Sequence, residues 1–408
     1  MRRAPRVVII GGGIGGLAAA LALERRGAET IVCEQSAALS EIGAGVHLSP
    51  NTIKALRALG VESEVEAIGS ESEFLVIRSW KSGRIISRMR RGYFRQQFGA
   101  PSLTVHRADL LDVLRHALKT TDIRLGARCV AVEGRDRTAV ARFADGSEIE
   151  ADIVVGADGI HSAVRRSLFG ADAPRFTGCI CWRGMAPVST VPRDIGTSEG
   201  LMWMGPHGHV VHYPVRRGAL VNIVAHLDSN AWTEESWTHE CDVSEVTAAY
   251  VGWNSALTRL FPFSTHWYKW ALYDRDPLER WSVGRATLLG DSAHAMLPYL
   301  GQGAGMAIED ACVLAAAVAR ESDDLSAALS AYERLRVPRT RAAVLGSRAR
   351  ARENHLASPW AQLKRDVKFA LRERFGRDNT VFQTAWLYDY DVAREPLLND
   401  VERPAALA

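Results

Sequence analysis

The chain has 408 residues, enough for a large core divided among two or three domains. It is 47% hydrophobic and 24% charged with a net charge of +3, which excludes a disordered or a strongly nucleic-acid-coating polypeptide. No apolar run reaches the roughly 20 residues that cross a bilayer, so no membrane span is expected.

Residues 6–34 read RVVIIGGGIGGLAAALALERRGAETIVCE. Arg2 and Arg3 ahead of an apolar run imitate a secretory signal, but a signal core has no use for a glycine cluster. VVII reads as a buried strand, LAAALALERRG as a helix closed by Gly27, and ETIVCE as a second strand ending at Glu34. Between them Gly11, Gly13 and Gly16 form G-x-G-x-x-G, in the order a dinucleotide site requires. Gly11 permits the tight turn, Gly13 the approach of backbone to a pyrophosphate, and Gly16 the close packing of helix on strand. The helix N-terminus offers N–H groups and a positive dipole end to phosphates. Glu34 can accept from ribose hydroxyls and would repel a 2′-phosphate, so the nucleotide bound there is not NADP.

Residues 42–61 read as a glycine-rich loop, carrying His47, that enters a helix near Pro50. Residues 73–99 alternate and are rich in arginine, the pattern of strands in a second domain, and 106–118 form an amphipathic helix. Residues 128–159 read as hairpin strands around Asp145-Gly146, returning to the buried strand of DIVVGADG. Asp158 there is either a nucleotide contact or the acid of an Asp-Gly turn.

From 173 to 279 the pattern is β-rich and tryptophan-rich. In HVVHY, His209 and Tyr213 lie four apart and face one side of a strand, with His212 on the other. Asp291 follows the buried run ATLLG and so stands at a strand's carboxyl end, where ligands bind in open α/β sheets. His294 in the same turn is a capping candidate. GQGAG opens a long apolar helix at 303, either stabilising an anion in front of it or simply starting the helix.

The remainder is helical and charged. Its basic stretch at 334–352 reads as a solvated helix face, with no nucleic-acid partner expected. The six cysteines (Cys33, Cys129, Cys179, Cys181, Cys241, Cys312) contain no C-x-x-C pair. That points to reduced thiols, a cytoplasmic location and no metal site, with Cys179 and Cys181 sharing one sheet face. A second G-x-G-x-x-G is missing, so a second nucleotide would bind without its own Rossmann domain.

Three separated motifs together carry a resemblance: the Gly11–Gly16 fingerprint with Glu34, Asp158-Gly159 in GADGIHSAVR, and Gly290-Asp291 in LLGDSAHAMLP. They resemble the class A FAD-dependent aromatic hydroxylases of the para-hydroxybenzoate hydroxylase fold. GAGVHLSPN, TVHRADL, WALYDRDPLERW, LPYLGQGAGMAIEDA and WLYDYD are similar to the branch that holds salicylate hydroxylase, 3-hydroxybenzoate 6-hydroxylase and 6-hydroxynicotinate 3-monooxygenase. The resemblance implies an α/β fold with a Rossmann-type FAD-binding domain (1–72, 100–172 and 280–330). A β-sheet substrate domain (73–99 and 173–279) is inserted in it, and a helical C-terminal region (331–408) follows. It further implies tightly bound FAD, a transient NADH or NADPH with NADH favoured, O2, and a small hydroxylated aromatic acid such as salicylate. Hydroxylation, with or without decarboxylation, would proceed through a flavin C4a-hydroperoxide in a monomer or homodimer. Alternatives are 3-hydroxybenzoate, a hydroxypyridine or quinoline acid, or a flavin reductase or dehydrogenase of a larger apolar substrate.

The resemblance also assigns residues. Glu34 and Gln35 serve the adenosine ribose, Arg107 the pyrophosphate or flavin, and the backbone of Val130 the adenine side. Asp291 serves the ribityl and pyrophosphate segment, Gly303 and Ala304 lie beside the flavin ring, and Asp158 belongs to a motif shared by FAD and the nicotinamide. Deprotonating a phenolic hydroxyl makes the ring electron-rich, so a base working near pH 7 is expected. His47, His209 and Tyr213 are the catalytic and substrate-contacting candidates, with Tyr299 and Gln302 beside the substrate; Gln302 contacts it or closes its turn. Tyr299 stands where the hydroxypyridine enzyme has histidine, which weakens 6-hydroxynicotinate as substrate. Arg183 is a weak carboxylate clamp, expected instead on a strand's surface.

Overall fold

VVII carries no polar residue because both of its edges and both of its faces are covered. The strand Arg6–Ile10 pairs in parallel with Glu29–Cys33 on one side and Ile153–Gly156 on the other. A computed structural model describes residues 3–39, 44–229, 239–376, 382–395 and 397; expectations placed on 40–43, 230–238 and 398–408 lie outside them. The central sheet has six strands in the order Ser282–Val283, Ala286–Leu288, Ile153–Gly156, Arg6–Ile10, Glu29–Cys33, Asp122–Arg124. Its parallel strands deliver Gly11, Glu34, Ala157 and Leu289 to one edge, tied by the Gly11 N–H to the Cys33 carbonyl (2.8 Å) and the Leu289 N–H to the Gly156 carbonyl (2.8 Å).

The helix Ile14–Glu24 rests directly on the first turn. A Cβ at Gly16 would lie 1.9 Å from the Gly11 carbonyl oxygen, and Gly11 itself holds a left-handed φ of +108°. A meander of Cys129–Gly134, Ala139–Phe143 and Glu148–Ala151 forms a separate three-stranded sheet. His47 lies not in a loop but in the strand Gly45–Leu48, because this segment pairs antiparallel with Leu103–His106.

An eight-stranded sheet gathers sequence-distant strands in the order Glu240–Cys241, Trp267–Asp274, Arg175–Pro187, Leu220–Asp228, Gly208–Val215, Gly200–Gly205, Phe74–Ser79, Ile85–Arg90. One of its faces is sealed by Trp182, Trp203, Tyr250, Trp253, Phe261 and Trp267, which explains the concentration of tryptophan there. The other face is free to look toward the edge of the central sheet.

The basic stretch 334–352 is not simply a solvated face. Within the helix Leu325–Asn354, Arg336 is fully buried and bonds Asp310 (2.7 Å) and Glu309 (2.8 Å), and Arg339 bonds Glu309 (2.7 Å). Both acids are fully buried in the apolar helix Gly303–Arg320, where an unpaired carboxylate is untenable. Burial raises their pKa, but the facing arginines, with His294 beside Asp310, overcome it and hold both carboxyls below the usual range. Arg336→Met is expected to cost about 3–5 kcal/mol, because it strands two buried charges. Urea denaturation of wild type and variant measures this, and a loss below about 1 kcal/mol contradicts it.

Candidate active site

A cavity of about 850 Å³ lies between the carboxyl edge of the central sheet and the inner face of the eight-stranded sheet. At one end it is lined by Gly11, Gly13, Glu34, Gln35, Val130 and Asp158. A Cβ at Gly13 would meet no protein atom within 4 Å, so this backbone faces open cavity. Gly16, the fingerprint glycine assigned to helix–strand packing, does not line the cavity; it is buried under the turn and serves the cofactor site only through that packing. The Glu34 carboxylate accepts from the Gly12 N–H (2.7 Å) and the Ser36 N–H (2.9 Å), which fixes it at the strand end. Asp158 accepts from Ala163 N–H (2.7 Å), Val164 N–H (3.2 Å) and the Ser162 hydroxyl, so its carboxylate also caps the helix Ala163–Phe169. Burial pushes its pKa up despite those bonds.

In the middle of the cavity stand Arg107, Asp291, Gly303 and Ala304. Arg107 opens the helix Arg107–Ala117. Asp291 opens the short helix Asp291–His294, and its carboxylate has no hydrogen-bond partner among the described residues. Gly303 and Ala304 begin an 18-residue helix whose N-cap, Gln302, gives it no side-chain cap. Its first-turn N–H groups are therefore left to a ligand. His294 does not reach the cavity; its Nε2 bonds the Asp310 carboxylate at 2.6 Å.

The far end is lined by His47, Arg91, Arg183, His209, Tyr213, His226 and Tyr299. His209 and His226 face each other across neighbouring strands and stack at 4.5 Å with planes 6° apart. His209 Nδ1 bonds His355 Nε2 (2.8 Å), whose Nδ1 bonds the Asp228 carboxylate (2.5 Å). His47 Nε2 bonds the Ser102 hydroxyl (2.8 Å). Burial, helped by the Arg91 charge, holds His47 down to about 3; burial and neighbouring histidines hold His209 and His226 well below the usual histidine range.

Tyr213 is pinned by close backbone, since a Cβ at Gly45 would lie 2.7 Å from its ring; burial pushes its hydroxyl up to about 12. It is therefore a proton donor at neutral pH and not a base. His212 points away and accepts from the Trp203 indole N–H (3.2 Å). Gln302 spends its amide on Ser49 (2.9 Å) and Asn51 (3.0 Å), which closes its turn. The Tyr299 hydroxyl donates to Cys179 Sγ at 3.2 Å. Cys179, Asp228 and His355 offer ligand atoms within 4.8 Å of one another; burial raises the Cys179 pKa, and its Sγ already accepts the Tyr299 hydroxyl.

Residues 5–347 match the family model described as FAD binding domain. The chain belongs to that family. It is 40% identical over 390 residues to 3-amino-4-hydroxybenzoate 2-monooxygenase PtnB3 of Streptomyces platensis, covering 95% of this chain and 97% of that one. It is 34% identical to 3-hydroxybenzoate 6-hydroxylase of Klebsiella oxytoca, covering 96% and 98%. Klebsiella pneumoniae HpxO, crystallised with FAD and uric acid, superposes with a TM-score of 0.82 at 27% identity, covering 94% of this chain and 97% of that one.

The observed donors fit FAD. An open glycine turn, a fixed acid at the second strand, an unpartnered Asp291 and an uncapped helix N-terminus lie along one cavity wall. Sequence reasoning missed Arg91, His226, His355 and Asp228, and placed Arg183 on a surface. Arg183 instead lines the cavity with its guanidinium 4.6 Å from the Trp270 ring centre. The alternation in LVNIVAHLD was the available signal for His226, once its strand is paired with HVVHYPV.

Two expectations follow. Gly13→Ala should weaken FAD binding at least about tenfold while the FAD-free chain melts as wild type, whereas Gly16→Ala, forcing a Cβ into a carbonyl, should lower melting itself. FAD titration and calorimetry separate the two, and equal behaviour of both variants contradicts the placement. Secondly, His212 (held down to about 4), His209 and His226 are buried neutral, while the unfolded chain protonates near 6.5. The stability they permit is complete above pH 6.5 and is lost as pH falls below it, by up to about 1.4 kcal/mol per pH unit for each. Urea midpoints at pH 7.5 and 5.5 should therefore differ clearly, and equal midpoints sink the account.

Proposed function

We propose that the protein is an aromatic-ring monooxygenase that uses NADH and O2 to hydroxylate a small hydroxylated aryl carboxylate, with 3-amino-4-hydroxybenzoate the first candidate. The observation that carries this reading is the pair of cationic side chains, Arg91 and Arg183, in the same cavity that offers the flavin-side helix N-terminus. Arg91 makes no ion pair among the described residues, and its buried Nε has no hydrogen-bond partner. Burial disfavours both guanidinium charges, so an incoming carboxylate relieves a cost already present. The identity to PtnB3 favours an aminohydroxybenzoate over salicylate, the ring expected from motif resemblance alone.

Held by the glycine turn, Glu34, Asp291 and the helix N-terminus, FAD would supply the redox chemistry and the activation of O2. The chain's own residues then have four tasks. Arg91 and Arg183 hold the substrate carboxylate and set which ring carbon faces the flavin. His209 takes the phenolic proton, making the ring a better nucleophile toward oxygen. Tyr213 and the neutral His47 orient the substrate by hydrogen bonds. The apolar walls Leu75, Met202 and Val224 keep water from the reacting oxygen. One atom of O2 enters the ring and the other leaves as water, NADH providing two electrons.

The test is NADH oxidation by the FAD-loaded protein with 3-amino-4-hydroxybenzoate, 3-hydroxybenzoate and salicylate, with products weighed by mass spectrometry. The expected result is faster NADH loss and a product heavier by one oxygen, with Arg91→Gln raising KM about 30-fold at nearly constant kcat. Peroxide without product marks that acid as a pseudo-substrate. If none of the acids changes the rate, the reading gives way to a reductase or dehydrogenase of a larger apolar substrate.

A further inference from the structure

Removing a proton from a phenol in a dry cavity raises a question of destination. His209 is 2% exposed, stacked on His226 and within the field of Arg365, so a lasting imidazolium there is costly. Among the described residues no acid pairs with that charge directly. They do offer a chain of hydrogen bonds that leaves the site.

The donors and acceptors of that chain can be ordered. The Asp228 carboxylate accepts, so His355 carries its proton on Nδ1 (2.5 Å). The Nε2 of His355 is then an acceptor, and His209 donates to it from Nδ1 (2.8 Å). That leaves the lone pair of His209 on Nε2, an atom with no hydrogen bond to the protein among the described residues, on a side chain that lines the cavity. The far end is open: the Asp228 side chain is 40% exposed, while His355 between the two is 6% exposed.

We propose that His209, His355 and Asp228 form a proton relay from the substrate hydroxyl to solvent, with His355 and Asp228 acting as positioning and proton-passing residues behind His209. This rests on the reading of His209 as the group that takes the phenolic proton. In the outward step the substrate O–H breaks and an N–H forms on His209 Nε2. The Nδ1–H of His209 passes to His355 Nε2, and the Nδ1–H of His355 passes to the Asp228 carboxylate, which hands its proton to water. Neither imidazole changes its net charge, which explains how His209, a ring that burial keeps neutral, can serve as a base. A proton returning by the same route to the product hydroxyl restores both tautomers.

The groups facing the relay agree with passage and not storage. His226 stacks on His209, Arg183 faces His226, and the Tyr299 ring packs against all three histidines while its hydroxyl is donated to Cys179. None is an acid that would trap the proton. At the outer end, besides His355, the exposed His207 lies 3.8 Å from Asp228 among the described residues.

The relay also gives the C-terminal region a role in the chemistry. His355 is the C-cap of the helix Leu325–Asn354, and Asp228 ends the strand Leu220–Asp228. The two come from elements 127 residues apart in the chain.

The test follows phenolate formation when 3-amino-4-hydroxybenzoate is mixed with the FAD-loaded, oxidised enzyme, read by stopped-flow absorbance, with no turnover required. Asp228→Asn preserves an acceptor for His355 but cannot hold a proton. It and His355→Gln should slow phenolate formation at least about tenfold, with FAD content and substrate affinity within twofold of wild type. His209→Gln should remove the phenolate signal. If His209→Gln leaves the signal intact, the base assignment falls and the relay with it. If that variant removes the signal while the other two keep the wild-type rate, the base stands and the relay alone is overturned. Asp228→Asn lies on an exposed side chain and decides the matter should His355→Gln not fold.

Discussion

The carboxylate of Asp310 is the fixed point on which the flavin side of the site depends. One of its oxygens accepts from the Gly290 N–H (3.1 Å) and from His294 Nε2 (2.6 Å), and the other accepts from Arg336 Nε (2.7 Å). The turn that presents Asp291, the short helix behind it and the long C-terminal helix are therefore held to one buried charge. Glu309 next to it does the same for the other wall, accepting from Asn51 (2.7 Å) and Arg339 (2.7 Å). Asn51 in turn reaches Gln302, the N-cap of the helix whose first residues, Gly303 and Ala304, line the cavity. Two adjacent acids in an apolar helix thus set the geometry of loops that sequence places far apart. Buried ionic networks contribute little net stability for their desolvation, and what they supply here is registry.

This division explains which parts of the protein were legible in the sequence. The nucleotide end is built from contiguous residues: strand, glycine turn, helix, strand and Glu34 follow one another, so spacing alone defines their geometry. Asp291 and Gly303 stand out for the same reason, Asp291 following a recognisable apolar run and Gly303 opening one. The reason each glycine is needed was legible too: Gly16 packs helix against strand, as its place in the fingerprint requires. His47 was assigned to a loop because its strand has only four residues and no pattern of its own; it exists by pairing with Leu103–His106.

The substrate end was legible only in fragments because its residues converge through strand register and long-range docking. The alternation of His209, His212 and Tyr213 was readable from a single strand. That His226 stacks on His209 depends on the register of two strands. That His355 completes the chain depends on a helix 146 residues away. Arg336 and Arg183 were misjudged for a related reason. Arginine in an amphipathic or alternating segment defaults to the surface, and what reverses the default is an acid or an aromatic ring supplied by another element. Glu309 and Asp310, as charges inside an apolar run, were the visible sign that such partners had to exist.

A cavity for this chemistry must be dry at the reacting oxygen and yet exchange protons with water, and the structure meets both demands by separating them in space. Neutral histidines, a protonated tyrosine and apolar side chains surround the substrate end, so water is not stabilised there. Near the cavity histidines the cationic side chains are Arg91 and Arg183, whose charge a carboxylate can neutralise, and the helix N-terminus adds a positive dipole end to the same cavity. The carboxylate that ends the histidine chain is Asp228, beyond two imidazole rings. A carboxylate placed directly against the substrate would be a stronger electrostatic partner for the proton. It would also repel the substrate's own carboxylate and draw water into the cavity. Neutral rings in line avoid both costs, which is why the low basicity of the cavity histidines is compatible with a role in proton removal and argues against their acting as isolated bases.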